Sequence, residues 1–117
     1  MKNIITLPHQ SQFLMVNQRK KISISTQSII MLEGHINYTL IHLQDGSQKL
    51  YARTLSHFQK LLINDHFIRV HQSYLVNPLF ILNYDEKGSR LFLENNLEVN
   101  ISRRKKKNLL SFNLVSD

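Results

Sequence analysis

The sequence predicts a mainly β domain of antiparallel strands joined by hairpins, with one or two short helices. Short apolar runs recur along the chain, turn signals separate them, and only two segments space their apolar residues as a helix does. The 117 residues suit one compact domain. Hydrophobic residues make up 42% of the chain, which is enough for a core. With these values, an intrinsically disordered chain is a poor interpretation.

The strands are predicted from short runs rich in β-branched, aromatic and aliphatic residues. Asp45-Gly46 signals a tight hairpin turn, and Asn95-Asn96 links the last two strands with residues that tolerate positive φ. The last strand alternates, with Leu97, Val99 and Ile101 on one face. The predicted strands cover residues 13–16, 21–25, 28–33, 37–43, 47–53, 67–71, 80–84, 90–94 and 97–101.

Two segments are predicted to be helical. Ser102 can cap a short helix that runs to about Leu110. Thr54 can cap an earlier helix whose apolar positions fall on one side, namely Leu55, Phe58, Leu61 and Leu62.

The second predicted helix has cations where the helix dipole favours anions. Arg103, Arg104 and Lys105 fall in its first turn, at a cost of about 0.3–1 kcal/mol for each exposed cation. Free backbone N–H groups together with cations at a helix start form a phosphate site. A bound polyanion would therefore turn this local penalty into affinity.

The overall charge favours the same kind of partner. The chain has 15 Lys and Arg against 8 Asp and Glu, a formal net charge of +7. The clusters Arg19–Lys21 and Arg103–Lys107 together hold 8 of the 15 cations. Such clusters indicate a polyanion, either nucleic acid or an anionic membrane surface, although a solvated basic face has the same composition.

Several classes of site are excluded by what the sequence lacks. Without cysteine there is no disulfide, Cys-ligated metal or thiol nucleophile, and a reducing compartment is compatible with this. The chain has only 3 glycines and no glycine-rich phosphate loop, and its 6 histidines lack metal-binding spacing. No catalytic constellation can be assembled, so we expect neither an enzyme nor a metal or cofactor.

A membrane span is also excluded. No purely apolar run exceeds the length of Leu79–Leu82, which is far shorter than the roughly 20 residues that a spanning helix needs. The first fifteen residues lack the continuous apolar core of a signal peptide. We therefore expect a cytoplasmic protein that does not insert into a membrane.

One segment carries a family resemblance. Phe67–Asn77, with the sequence FIRVHQSYLVN, resembles the signature of the LytTR DNA-binding domain. The flanking features match in order and spacing, and the similarity covers residues 13–110, leaving 1–12 as an N-terminal extension and 111–117 as a C-terminal tail. These features are Ile30–Glu33, Asn37–Thr39, the Asp45-Gly46 turn, the Thr54-Leu55 helix start, the Leu91–Ile101 hairpin and Ser102–Arg104.

The resemblance implies a bacterial transcription regulator of the response regulator family. Its expected fold is an elongated stack of antiparallel sheets with one or two short helices. Loops from one edge of such domains enter successive major grooves of a bent duplex, without a recognition helix. Family members commonly bind tandem direct repeats, one domain per repeat, and often lack a strong dimer in solution. We therefore expect this chain to be a monomer that pairs on DNA. Many follow a receiver controlled by a sensor kinase, and some stand-alone members have a membrane-bound inhibitor.

The resemblance also implies three base-contacting residues, Asn37, Gln72 and Arg104. His35 competes with Asn37 for the first position, and Gln72 departs from the Arg or Asn that is frequent at the second. The chemistry suits base reading, because Arg fits guanine O6 and N7 while Asn and Gln fit adenine N6 and N7. Each also has a simpler interpretation: Asn37 as a turn residue, Gln72 as a solvated polar residue and Arg104 as a phosphate contact.

The remaining candidates are expected to support the loops or contact the DNA backbone. His71 is interpreted as a structural histidine inside its loop, Ser73 as a loop or phosphate residue, and Arg69 as an internal or backbone contact. Phosphate contacts position a protein on DNA without reading sequence. The phosphate candidates are Arg19, Lys20, Lys21, Arg103, Lys105, Lys106 and Lys107.

Two other classes of function remain open from the residues. The first is a small basic RNA-binding β domain that stacks bases on exposed aromatic rings, with Tyr38 and Tyr74 as the candidate rings. The second is a peripheral membrane or partner-binding module that uses the basic patch. Binding to duplex DNA, single-stranded RNA and anionic vesicles distinguishes the three.

Overall fold

The computed structural model describes residues 13–110, without the side chains of Asn108 and Leu110. The extension and tail predicted at 1–12 and 111–117 lie outside the described residues. Within residues 13–110 there are two α-helices, α1 (Leu55–Leu61) and α2 (Lys107–Leu110). The strands are β1 (Phe13–Asn17), β2 (Ile22–Ser25), β3 (Ile29–His35), β4 (Tyr38–Leu43), β5 (Gln48–Tyr51), β6 (Ile68–His71), β7 (Tyr74–Val76), β8 (Ile81–Asp85), β9 (Arg90–Leu93) and β10 (Leu97–Asn100).

The strands form three antiparallel sheets, which confirms the predicted fold class. The central sheet has five strands in the order β5-β4-β3-β7-β6. A hairpin of β1 and β2 forms the second sheet, and β10-β9-β8 forms the third. No helix within residues 13–110 is long and apolar enough to cross a membrane.

The central sheet is buried on both faces. On one face, residues such as Met31 and Val76 pack with Leu91 and Val99 of the third sheet. Leu75, the chain neighbour of Val76, points to the other face, because successive strand residues alternate between faces. On that second face lie side chains from β1, α1 and the central sheet, namely Leu14, Ile29, Leu32, Ile41, Leu55, Phe58, Leu62 and Leu75.

Strand β3 has four consecutive buried residues, Ile29–Leu32, where simple alternation would bury every second one. The pairing of β3 with β4 shifts between Ile29 and Met31, so this stretch contains a bulge. The bulge directs Ile30 and Met31 to one core and leaves Ile29 and Leu32 in the other. Two covered faces therefore explain the continuous apolar run.

A buried asparagine joins β3 to the segment after β7. The Asn77 side chain donates through Nδ2 to the carbonyl oxygen of Ile29 at 3.0 Å and accepts at Oδ1 from the N–H of Leu79 at 3.1 Å. Its backbone N–H donates to the carbonyl of Ile30 at 3.0 Å. Asn77 therefore satisfies backbone groups that the sheet hydrogen bonds do not reach.

All nine predicted strands are present, with ends that move by at most two residues. The predicted turns are also confirmed, since Gly46 has a φ of +92° and Asn95 and Asn96 have φ of 63° and 60°. Strand β7 was not predicted. It follows β6 after only two residues, Gln72 and Ser73, which carry no glycine or Asn-Gly turn signal.

The helix predictions need two corrections. Thr54 does cap α1, accepting the N–H of His57 at its hydroxyl oxygen at 3.1 Å, but Leu61 is exposed while Leu62 is buried. The second helix begins at Lys107, not after Ser102. Residues 103–106 form turns, in which the Ser102 hydroxyl accepts the N–H of Lys105 at 3.1 Å. The phosphate site expected from this helix start therefore lacks its helix terminus.

Candidate nucleic-acid interface

The first candidate loop is the turn between β3 and β4. His35 pairs with Tyr38, so only Ile36 and Asn37 connect the strands. Both are exposed, and the Asn37 amide makes no hydrogen bond to any described residue. Asn37 is therefore a turn residue, as its simpler interpretation requires, although its amide does not bond to nearby backbone.

The second candidate loop is the turn between β6 and β7. The Ser73 N–H donates to His71 Nδ1 at 3.0 Å, and the His71 ring lies 5.2 Å from the ring of Tyr74. His71 thus closes the turn from within. Gln72 is exposed at the tip of this turn, and its side-chain amide has no hydrogen bond among residues 13–110.

The two turns are joined to each other. The Gly34 N–H donates to the carbonyl oxygen of Ser73 at 2.7 Å. Both turns line one cleft of about 840 Å³ together with the start of α1, and Asn37 and Gln72 lie in its wall. A Cβ at Gly34 would lie 2.9 Å from the Cβ of Leu55, so this close approach of β3 to α1 requires glycine.

Arg69 fixes the backbone of the second turn. Its Nε donates to the carbonyl oxygen of His71 at 2.9 Å, and its second guanidinium nitrogen donates to the carbonyl of Gln72. The third nitrogen donates to Gln59 of α1 at 2.6 Å. Burial lowers the pKa of the Arg69 guanidinium. Of the two roles considered for Arg69, the internal one matches these contacts.

A shared carboxylate orients the histidine that competes with Asn37. Glu33 accepts from the buried His42 at 3.0 Å through one oxygen, and its other oxygen lies 3.5 Å from Nε2 of His35. His35 is therefore engaged with Glu33, whereas the neighbouring amide of Asn37 is free. Among residues 13–110, no group of three His, Cys, Asp or Glu side chains could hold a metal ion.

Arg104 does not line the cleft of Asn37 and Gln72. It is exposed in the turns that follow β10. This segment is attached to the central sheet because the Ser102 N–H donates to the carbonyl oxygen of Val70 at 2.9 Å, two residues before Gln72. Arg104 therefore extends from beside the edge strand β6. Arg103 is exposed like Arg104, while Lys105 and Lys106 are half-buried.

The cations of Arg19–Lys21 lie in the turn between β1 and β2, where all three are exposed. Arg19 lines a groove of about 620 Å³ with Arg53 and His57. This groove adjoins the cleft, because Arg53 and His57 flank Thr54 and Ser56 of its wall.

Sequence reasoning missed Arg53 and His57. The signal that was available is their position on either side of the Thr54 cap, at the start of the predicted helix. The cleft and the groove thus combine apolar side chains with the guanidinium groups of Arg19, Arg53 and Arg69, and their walls come from separate turns and links of the chain.

Comparison with known proteins agrees with this architecture. A family model described as the LytTr DNA-binding domain matches residues 19–112. The chain is also similar to a solved LytTr DNA-binding domain from a Bacillus cereus protein described as a methyl-accepting/DNA response regulator. That match has a TM-score of 0.69 and 22% sequence identity, and covers 86% of this chain and 95% of the other. No curated protein matches the chain. Since the family model spans most of its length, this chain belongs to the LytTR DNA-binding domain family.

Proposed function

We propose that this chain binds duplex DNA in a sequence-specific manner as the DNA-binding part of a bacterial transcription regulator. The family supports DNA binding as such. The observation that carries sequence reading is the pair of free, exposed amides of Asn37 and Gln72 on two joined turns of one cleft. A side-chain amide can contact adenine N6 and N7 together in the major groove, where each base pair has a distinct pattern.

The turns, not a helix, are the elements that enter the grooves. Helix α2 has only four residues. Helix α1 has seven, and its Leu55 and Phe58 are buried in the core on the second face of the central sheet. The two turns instead present exposed side chains at the strand ends of the central sheet. In this proposal Asn37 and Gln72 contact bases in one major groove.

Arg104 contacts a separate position in the same proposal. Its segment is attached to β6 through the Ser102–Val70 hydrogen bond, outside the cleft. An exposed arginine beside the reading turns suits a bidentate contact to guanine O6 and N7. Because Arg104 lies outside the cleft, in this proposal it contacts a second major groove on the same face of the duplex.

Phosphate contacts flank the reading turns. The exposed Arg19, Lys20 and Lys21 lie next to the groove of Arg53 and His57 on one side. On the other side, the phosphate contacts are Arg103, Lys105 and Lys106, beside strand β6. Such contacts set the register on DNA and are independent of sequence.

The assembly on DNA follows the family expectation. The protein is a monomer in the cytoplasm that pairs on tandem direct repeats at promoters. Its input comes from a partner protein, either a sensor kinase acting through a receiver or a membrane-bound inhibitor. Light scattering of the free protein and footprints on direct and inverted repeats test this arrangement, and a tight dimer that prefers inverted repeats contradicts it.

The RNA-binding alternative needs several exposed rings along a charged groove. Tyr38 is the only Phe, Tyr or Trp in the described wall of the cleft, and Tyr74 is half-buried. The cleft therefore offers one stacking ring, whereas it offers two free amides for base edges. This balance favours duplex DNA.

One binding experiment separates the three classes. The full chain is titrated with a random duplex DNA pool, single-stranded RNA and anionic phosphatidylglycerol vesicles at the same salt concentration. Duplex DNA should bind most tightly. With about 5 phosphates contacted, log K should fall with log salt at a slope of about −4.5. Preference for RNA or vesicles, or an affinity independent of salt, overturns the proposal.

A further inference from the structure

Ile36 has the most exposed large hydrophobic side chain among the described residues. It is 91% exposed at the tip of the β3–β4 turn, directly before Asn37. Full exposure of an isoleucine forgoes the stabilisation that burial of such a side chain contributes. The folded chain therefore gains nothing from the size of Ile36.

Turn geometry does not explain the residue either. Two-residue hairpin turns favour Asn, Gly or Asp because the preferred turn types need positive φ. Neither Ile36 nor Asn37 has a positive φ, and a β-branched side chain is uncommon at such a tip. An asparagine or glycine at position 36 would serve the turn equally well.

Most of the side chains that line the cleft with Ile36 are polar. Ile36 lines the same cleft as Asn37, Gln72 and Ser73, so an aliphatic group lies beside two amides. In the major groove, thymine is the base that carries an apolar group, its C5-methyl, and its partner adenine offers the N6 and N7 pattern that amides bind. An aliphatic side chain next to adenine-reading amides thus matches both features of an A·T-rich step.

We propose that Ile36 is a specificity residue that contacts the C5-methyl of one thymine next to the base pair read by Asn37. This inference rests on the proposed sequence-specific DNA binding and extends it to a particular base and atom. Removing a methyl group from such a contact forgoes about 0.8 kcal/mol, which corresponds to about fourfold in affinity.

The test uses 2′-deoxyuridine, which lacks only the C5-methyl and keeps the hydrogen-bonding edge of thymine. A duplex is first selected from a random pool with the wild-type chain. Each thymine is then replaced in turn by deoxyuridine, and the affinity is measured for wild type and Ile36→Ala. The matched control is Ile63→Ala, an isoleucine that is 76% exposed and outside this cleft.

The affinity of the wild-type chain should fall about fourfold when deoxyuridine replaces one particular thymine, and should change little when it replaces any other. Ile36→Ala should bind the thymine duplex about fourfold or more weakly and show no further loss with deoxyuridine at that position. Ile63→Ala should behave as wild type. The inference is overturned if no thymine is sensitive, or if Ile36→Ala keeps the same sensitivity. If the wild-type chain selects no sequence at all, the proposed function itself fails, which is a different result.

Discussion

The Arg69 Nε–H donates to the carbonyl oxygen of His71 at 2.9 Å, so a side chain of strand β6 holds the turn that carries Gln72. The same guanidinium donates to the carbonyl of Gln72 and to the side chain of Gln59. One residue therefore connects the turn to helix α1. The conformation of the second turn depends on this half-buried cation as well as on its own residues.

Arg69→Ala should destabilise the fold by about 1.5–3 kcal/mol, because hydrogen bonds from a charged donor are lost at once. Arg69→Lys should not restore the loss, since an ammonium cannot present the planar fork. Urea unfolding measures both. Arg90→Ala is the control, because its exposed pair with Glu98 should contribute only about 0.2–1 kcal/mol. Equal losses for Arg69→Ala and Arg90→Ala contradict the positioning role.

Asn77→Ala should cost about 1–3 kcal/mol of stability, because the carbonyl of Ile29 and the N–H of Leu79 lose their partner in a buried site. The measurement is the midpoint of urea unfolding at constant m-value. Asn100→Ala, at an exposed position of β10, should change stability by less than about 0.5 kcal/mol. If Asn77→Ala leaves the urea midpoint unchanged, water replaces the amide without cost and the prediction is wrong.

Two aspartates should respond to pH with opposite sign. Burial raises the pKa of Asp65, partly offset by a hydrogen bond from Thr26, and its Oδ2 is buried without a partner among the described residues. Because the pKa is raised in the folded state, the contribution of this group to stability is fully present below its ordinary pKa of 3.8 and is lost as pH rises through the folded value. Asp65→Asn should therefore raise the melting temperature at neutral pH, by an amount that shrinks as the pH approaches 3.8.

Asp45 provides the opposite case. Hydrogen bonds from the hydroxyl and N–H of Ser47 lower the pKa of Asp45. The stabilisation is present above its ordinary pKa and is lost as pH falls through the folded value. Asp45→Asn should lower the melting temperature slightly at neutral pH. If Asp65→Asn and Asp45→Asn change the melting temperature in the same direction across the pH series, the direction of the pKa shift is wrong for one of the two aspartates.

Arg104 and Arg103 are exposed neighbours of the same type, which makes them a matched pair. Arg104→Ala should relax preference at one base pair by about 1–3 kcal/mol and leave nonspecific affinity less affected. Arg103→Ala should weaken all sequences alike and reduce the salt slope by about 1. Binding-site selection with salt titration of both variants measures this. Arg104 is a phosphate contact if Arg104→Ala keeps the wild-type preference.

Much of the fold was predictable because the signals are local. The Asp45-Gly46 turn, the alternation of Leu97–Ile101 and the Thr54 cap each act within a few residues. Strand β7 was missed because its turn is closed by the His71 side chain, a contact that composition does not reveal. Helix α2 starts late because Ser102 caps a turn instead.

The candidate site was predictable as a set of residues but not as an arrangement. Residue types and family resemblance indicated Asn37 and Gln72. Their common cleft depends on the long-range pairing of β3 with β7 and on the hydrogen bond from Gly34 to Ser73. Arg53 was missed for a related reason, because the groove that it lines forms only when β1 packs beside α1.

The most direct test of the central claim is binding-site selection with wild type, Asn37→Ala and Gln72→Ala on the same random duplex pool. If the two joined turns read bases, the wild-type chain selects a defined sequence and each variant relaxes it at a different nearby base pair, by about 1–3 kcal/mol. The salt slope should stay the same in all three, since neither amide contacts phosphate. Selection of the same sequence with undiminished preference by both variants would contradict the account.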